Sequence, residues 1–465
     1  MNGLRPLYKW FRFIIYLFIF YLLYKTFENL LTTPDPPTPL SYNNNNNNNN
    51  KYNNLVSPEK LDKSASPPPS FKKKEKDERT SFMPLYRDFP WYKQPHNRFL
   101  FKGEASTIDL TLQQRQQLQY DLIDKAKQQT QKSLASIGYV PLGIPGTNVQ
   151  TEQQVKVLRE KIACWTQGSW QPVKKSKQQL LNHVQDPLYA MCDKNFYKKN
   201  KDPQMVRPET QYQWVPSLSS SMCPLQYHAT PDQWCSLLNG RHILLVGDLL
   251  QYQLHEIFLD TLRDGPTVCF GELNCKDHTL CSKPDTRLRY LRNDILLNNP
   301  KHVQNNGHPA GSIITWPFVA SNILKAYPIL ILNRSPIIES DEDFITSLIR
   351  TMAHIRKTTP ETLIIYRSSP IGHPYCNDAN APLTQPLTEE EWKRLPYGWS
   401  ELERRNQIAK SIVEEAGGIF IDLAALVNVR PDGHVGNQDC IRYCIPGPLD
   451  SWMDVLYQLF KELAV

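Results

Sequence analysis

Arg241-His-Ile-Leu-Leu-Val-Gly-Asp-Leu-Leu-Gln251 is the stretch from which the fold is read. Its Ile-Leu-Leu-Val run is continuously apolar, as a strand buried on both faces should be. Gly247-Asp248 then makes a tight turn, and a helix opens behind it. A strand–turn–helix unit of this kind aims a side chain, and the free N–H groups of the helix start, at whatever sits above the sheet. The place for a nucleophile is the residue after Asp248. It is Leu249, which has no nucleophilic atom.

Similar apolar runs recur at residues 328–332, 362–366 and 418–422. Helical periodicity fills the gaps at 251–262, 340–357, 399–416 and 451–463, with Gly417-Gly418 as a C-cap after the third. Strands alternating with helices predict an α/β fold, a parallel sheet flanked by helices. Ligands in such sheets bind beyond the C-terminal strand ends. Asp248, Asn333 and Arg367 all fall at or just past such ends.

About 190 residues downstream lies a second motif, Arg430-Pro-Asp-Gly-His434, leading to Asp439-Cys-Ile-Arg-Tyr-Cys-Ile-Pro-Gly-Pro-Leu-Asp-Ser-Trp452. An Asp with a base three residues on, between two cysteines that pin it, suits a carboxylate orienting a His. The base position holds Arg442, whose guanidinium stays protonated in a protein.

Together these two motifs resemble the PC-esterase, or trichome-birefringence-like, family. Val246-Gly-Asp-Leu249 is similar to its Gly-Asp-Ser block. Asp439-Cys-Ile-Arg-Tyr-Cys444 is similar to its Asp-x-x-His block, with the Pro-Gly-x-x-Asp-x-Trp tail intact from Pro446 to Trp452. Asp186-Pro-Leu-Tyr189 and Tyr212-Gln-Trp-Val-Pro216 resemble its N-terminal block, which helps form the substrate groove in relatives. The resemblance covers roughly residues 160–465. It implies an SGNH-hydrolase-like sheet, Golgi residence and O-acetylation of a glycan or polysaccharide. The two departures, Leu249 and Arg442, fall on the Ser and His that carry the chemistry.

Acyl transfer needs a nucleophile, a base, an orienting carboxylate and oxyanion donors. Asp439 remains as the orienter, beside Asp248. Gly247, the backbone N–H of Leu249, and Asn333 in Leu-Asn-Arg-Ser335 remain as oxyanion or substrate candidates, with Arg367, His373 and His434. Removing such a Ser or His has cost a serine protease about a millionfold in turnover. A relocated triad would draw on Ser335, Ser368, Ser369, His373 and His434. His255 is expected to pack or to face solvent. Arg442 is expected to pair with Asp439 or Asp248, the alternative being a sugar carboxylate or phosphate. Three functions follow: a degenerate relative that holds glycan, an active O-acetyltransferase with a relocated triad, or a scaffold for active paralogues. No bound cofactor is expected, and an acetyl donor such as acetyl-CoA enters only if the chain is active.

The rest of the sequence bears on compartment. Phe13 to Tyr24 is an unbroken apolar and aromatic run flanked by Arg12 and Lys25, with Arg5 and Lys9 before it. It reads as an uncleaved signal anchor with a cytoplasmic N-terminus, making a type II Golgi membrane protein. The expected segments are a tail at 1–9, the anchor at 10–27, a Pro-, Asn- and Lys-rich disordered stem at 28–84, a helical spacer at 85–160 and a luminal domain at 161–465. All ten cysteines lie beyond the anchor: Cys164, Cys192, Cys223, Cys235, Cys269, Cys275, Cys281, Cys376, Cys440 and Cys444. Their even number suggests disulfides, and their spacing gives no paired zinc set, so no metal is expected. The net charge of +7 is not gathered in one folded stretch, which argues against nucleic acid. The triplet Asn333-Arg-Ser335, followed by Pro336, is expected to carry no glycan.

Overall fold

The computed structural model describes residues 110–174, 187–202, 205–219, 221–262, 275, 277–298, 313–334, 339–373, 376–392, 395, 399–436 and 439–463. All belong to one compact unit. The expected membrane anchor, the stem, Asp186, Cys269 and Ser335 lie outside the described residues. Among the described residues no helix is long and apolar enough to cross a membrane.

The elements run α1 (Leu112–Ser136), α2 (Glu152–Thr166), β1 (Gly168–Pro172), α3 (Pro187–Lys199), β2 (Tyr212–Pro216), α4 (Pro231–Leu238), β3 (Ile243–Gly247) and α5 (Leu249–Leu262). They continue with β4 (His278–Ser282), β5 (Asp285–Arg292), α6 (Ser321–Ala326), β6 (Ile329–Leu332), α7 (Asp341–Thr358), β7 (Leu363–Arg367) and α8 (Glu389–Trp392). The last are α9 (Leu402–Glu415), β8 (Ile419–Ile421), α10 (Ala424–Val427), β9 (His434–Gly436), β10 (Asp439–Tyr443) and α11 (Asp450–Glu462).

Six strands form the central sheet in the order β4-β5-β3-β6-β7-β8. Every pairing in it is parallel except β4 with β5. The four apolar runs read from sequence are β3, β6, β7 and β8, and the α/β class with helices on both faces holds. Side chains alternate across the pleat. Ile243, Leu245, Ile329, Ile331 and Ile365 point to one core with Leu254, Ile257 and Phe258 of α5 and Trp452 and Leu456 of α11. Leu244, Val246, Leu330, Leu332 and Ile364 point to the other, with Leu348 and Met352 of α7 and Ile408 and Ile412 of α9. Helix α1 joins this second core through Ala126 and Leu134, and α2 joins the first through Val155, Leu158 and Ile162. The described part of the stretch expected as a spacer, residues 110–160, thus packs on both faces of the sheet. Each large apolar side chain so buried contributes about 1.5–3 kcal/mol.

Chain order fixes where a site can form. Helix α5 leaves β3 for one face and α7 follows β6 to the other. The C-terminal ends of β3 and β6 therefore flank a crevice, where doubly wound sheets bind ligands. Asp248 and Asn333 meet there. Outside the sheet, β1 pairs with β2 and β9 with β10 as antiparallel ribbons.

Candidate functional site

The turn after β3 is held from several sides. Asp248 caps α5, its Oδ1 accepting the N–H of Leu250 (3.0 Å) and of Gln251 (3.1 Å). Its own N–H donates to Asn333 Oδ1 at 3.1 Å. Gly247 makes this approach possible, since a Cβ there would lie 1.8 Å from Asn333 Oδ1. Asn333 is fully buried, so it cannot accept a glycan in the folded chain. Its Nδ2 has no hydrogen-bond partner among the described residues. A buried donor without a partner costs about 1–3 kcal/mol, which is tolerated where a ligand oxygen will be met. Leu249, at the position where the sequence reading expected a nucleophile, is itself buried.

Arg367, at the end of β7, lies fully buried beneath this turn. Its Nη2 reaches Asp248 Oδ1 at 2.9 Å, and its Nε donates to Gln251 Oε1 at 2.6 Å. Its guanidinium carbon sits 4.9 Å from the centre of the Trp452 ring. Burial pushes its pKa down from the usual guanidinium range, and the carboxylate of Asp248 opposes that fall. Gln251 passes the contact on, donating from Nε2 to the Ile331 carbonyl at 2.7 Å.

The second motif forms β10 and its flanks. Asp439 accepts from the Ile441 N–H (3.3 Å) and the Arg442 N–H (3.0 Å), and from Arg442 Nε at 2.6 Å. Arg442 thus closes on Asp439 within its own turn, and both are partly buried. The two flanking cysteines are both bridged, Cys440 to Cys376 and Cys444 to Cys192. Cys164 pairs with Cys223, and Cys235 with Cys281.

One helix joins the two motifs. Gln253, one helical turn beyond Leu249 in α5, donates to the Tyr443 carbonyl at 2.6 Å and accepts the Tyr443 N–H at 3.0 Å. Leu249 and Arg442 therefore belong to one helix–strand joint. Sequence reading missed Gln251 and Gln253. Their signal was two amides in the first, mainly apolar half of the helix; both are fully buried and so need specific partners.

The candidate replacement groups are tied up elsewhere. Ser368 donates to Asp422 Oδ1 at 2.7 Å and accepts the Ala424 N–H. Ser369 donates to the Arg334 carbonyl. Neither hydroxyl reaches an imidazole among the described residues. His373 and His434 instead face one another, Nδ1 to Nε2, at 2.7 Å. Their outer nitrogens meet the carbonyls of Asn428 (2.9 Å) and Arg442 (3.1 Å). Burial pushes the His373 imidazole down to about 4, against the pull of the Asn428 carbonyl. Burial, then repulsion from His373, holds His434 well below the usual range. A neutral pair carries two N–H groups for three contacts, so one contact always lacks a proton. His255 is fully buried and stacks beside Tyr252. Among the described residues no group of His, Cys, Asp and Glu could hold a metal ion.

No family model matches the chain. Curated relatives do. Xyloglucan O-acetyltransferase 2 of Arabidopsis thaliana is 28% identical over 92 residues, 15% of this chain and 22% of the relative. Protein trichome birefringence-like 23 of the same plant is 28% identical over 145 residues, 26% of this chain and 33% of the relative. Xyloglucan O-acetyltransferase 4 of Populus trichocarpa is 32% identical over 83 residues, 16% of this chain and 19% of the relative. The chain is related to the trichome birefringence-like family. It spans a third or less of the length of these trichome birefringence-like and xyloglucan O-acetyltransferase relatives.

Proposed function

We propose that this chain is a glycan-holding relative of the polysaccharide O-acetyltransferases in which the Ser–His mechanism has been replaced. One observation carries the reading. Asp439, the residue expected from sequence to orient a base, is closed by the Arg442 guanidinium at 2.6 Å. A fixed cation there neutralises the carboxylate and takes no proton from a nucleophile. The nucleophile position is a buried leucine. The unpartnered Asn333 Nδ2 supports the retention of a place for a ligand oxygen.

The names of the relatives support a polysaccharide as the partner. Four disulfides among the described residues support an oxidising compartment. With the expected anchor at residues 10–27, the protein would be a type II Golgi membrane protein, its domain at 161–465 in the lumen. Acetyl-CoA or a similar donor has no role unless turnover is found.

The test is acetyl-ester turnover by the full-length protein beside its Leu249→Ser/Arg442→His double variant. Activity in the double variant alone is the expected result, because the rest of the scaffold is in place. Turnover by the natural chain would overturn the reading and move attention to Ser368, His373 and His434.

A further inference from the structure

A cavity of about 630 Å³ lies on the same C-terminal edge of the sheet as the Asp248 turn, displaced toward β8. It opens beyond the ends of β7 and β8, between the start of α1, the start of α9 and the segment around α8. Neither Asp248, Leu249, Asn333, Asp439 nor Arg442 lines it. Its volume falls within the roughly 300–1,000 Å³ of small-molecule clefts.

Its walls carry a particular chemistry. Asp422 follows β8 directly, so the sheet fixes its place at the cavity floor. One of its oxygens accepts from Ser368, which is fully buried and is held in turn by the Ala424 N–H. Burial pushes the Asp422 carboxyl up from the usual range, and the Ser368 hydroxyl works against that rise. No salt bridge to Asp422 or Glu403 is found among the described residues, whereas Arg115 and Arg404 on the same walls are already paired with Glu389, Asp341 and Glu401. Amide side chains from Gln119 and Gln407 add donors and acceptors. At the rim stand Trp392 and Tyr120, the latter 68% exposed. A tyrosine in water beside a polar cleft offers an apolar face that gains from being covered by a ligand.

We propose that this cavity binds an uncharged oligosaccharide segment, with a sugar face on Tyr120 and vicinal hydroxyls donating to Asp422 and Glu403. Carboxylates not closed by a salt bridge accept hydroxyl donors, with Arg115 near Glu403 and Lys410 near Asp422 acting only through space, and the mixed amide lining meets the remaining hydroxyls. Paired arginines leave no strong field for an anionic ligand. The inference rests on the proposed glycan partner and adds to it a second site, whose lining shares no residue with the Asp248–Leu249–Asn333 turn or the Asp439–Arg442 pair.

The test is saturation-transfer NMR and calorimetric titration of the full-length protein with cellopentaose and with a neutral xyloglucan oligosaccharide. At least one should bind, and Tyr120→Ala should weaken it about tenfold through the lost stacking face. Glu403→Gln should weaken it as well. Both residues are exposed, and circular dichroism will show that the variants remain folded. Absence of binding at millimolar concentration overturns the proposal. So does affinity unchanged in both variants and lost in Arg442→Ala, which would place the sugar at the degenerate centre. Binding of spermidine in place of both sugars would overturn the ligand class. The acetyl-ester assay of the Leu249→Ser/Arg442→His variant uses no glycan, so the two readings can fail separately.

Discussion

Replacing Arg367 with methionine should cost about 3–4 kcal/mol of folding stability, at the lower end of what breaking a buried ion pair costs. The size follows from its contacts. Arg367 is fully buried, donates to Asp248 at 2.9 Å and donates to Gln251 at 2.6 Å. Methionine refills much of the stem and keeps the packing on Trp452, so the loss is mainly polar. A hydrogen bond to a charged group contributes about 1.5–3 kcal/mol, and the one to Gln251 about 1 more. Asp248 keeps the N–H groups of Leu250 and Gln251, which holds the cost below the upper limit. Asp248→Asn should cost a similar amount by stranding the guanidinium. The double variant should then cost about 2 kcal/mol less than the sum, because neither charge is left alone. Urea unfolding of the four proteins at neutral pH gives the coupling from midpoints and slopes. Additivity within about 0.5 kcal/mol would refute the claim that this pair holds the turn.

Other perturbations test neighbouring claims. Gly247→Ala should destabilise the chain by about 2–4 kcal/mol, by displacing Asn333 and stranding the Asp248 N–H; an unchanged melting temperature would show that the contact has room to give. Acid should weaken the fold through His373. Its folded pKa of about 4 lies below the ordinary 6.5, so the unfolded chain binds the proton first as pH falls. Stability is therefore complete above about pH 6.5 and falls by about 3 kcal/mol on the way to pH 4. His373→Gln should flatten that slope in urea midpoints taken at pH 7 and 4.5, and parallel slopes would refute the assignment. Finally, on the proposed reading Leu249→Ser alone should show no turnover of acetyl esters, since the Arg442 guanidinium takes up no proton; turnover by that single variant would refute the role assigned to position 442.

Much of the fold was legible because β3, β6, β7 and β8 are buried on both faces and so read as unbroken apolar runs. Strand β5 was not. It runs Asp285-Thr-Arg-Leu-Arg-Tyr-Leu-Arg292, with charged residues among the apolar ones, as suits a strand whose early part keeps one side toward water. Beside it, β4 is a short antiparallel edge, too polar to stand out. The Gly-Asp turn was readable, and the helical pattern read from residue 251 begins two residues earlier, at Leu249. The partner of Asp248 was not, because Arg367 is 119 residues away and only sheet order brings it close. The Asp439–Arg442 pair was foreseeable as one of two options, since a three-residue spacing keeps it local. Disulfide connectivity carries no local signal at all: Cys192 and Cys444 are 252 residues apart.

The two halves of the centre are mounted by different means. Residue 249 keeps its place through packing and hydrogen bonds around Gly247, Asn333 and Arg367. Residue 442 sits between two sulfur bridges, one two residues before it and one two residues after, that fasten its strand to separate parts of the chain. A reductant should therefore loosen the second mount while leaving the first. For as long as the bridges stand, whatever side chain occupies position 442 inherits an address it did nothing to secure, so the chemistry there can be exchanged without rebuilding the frame.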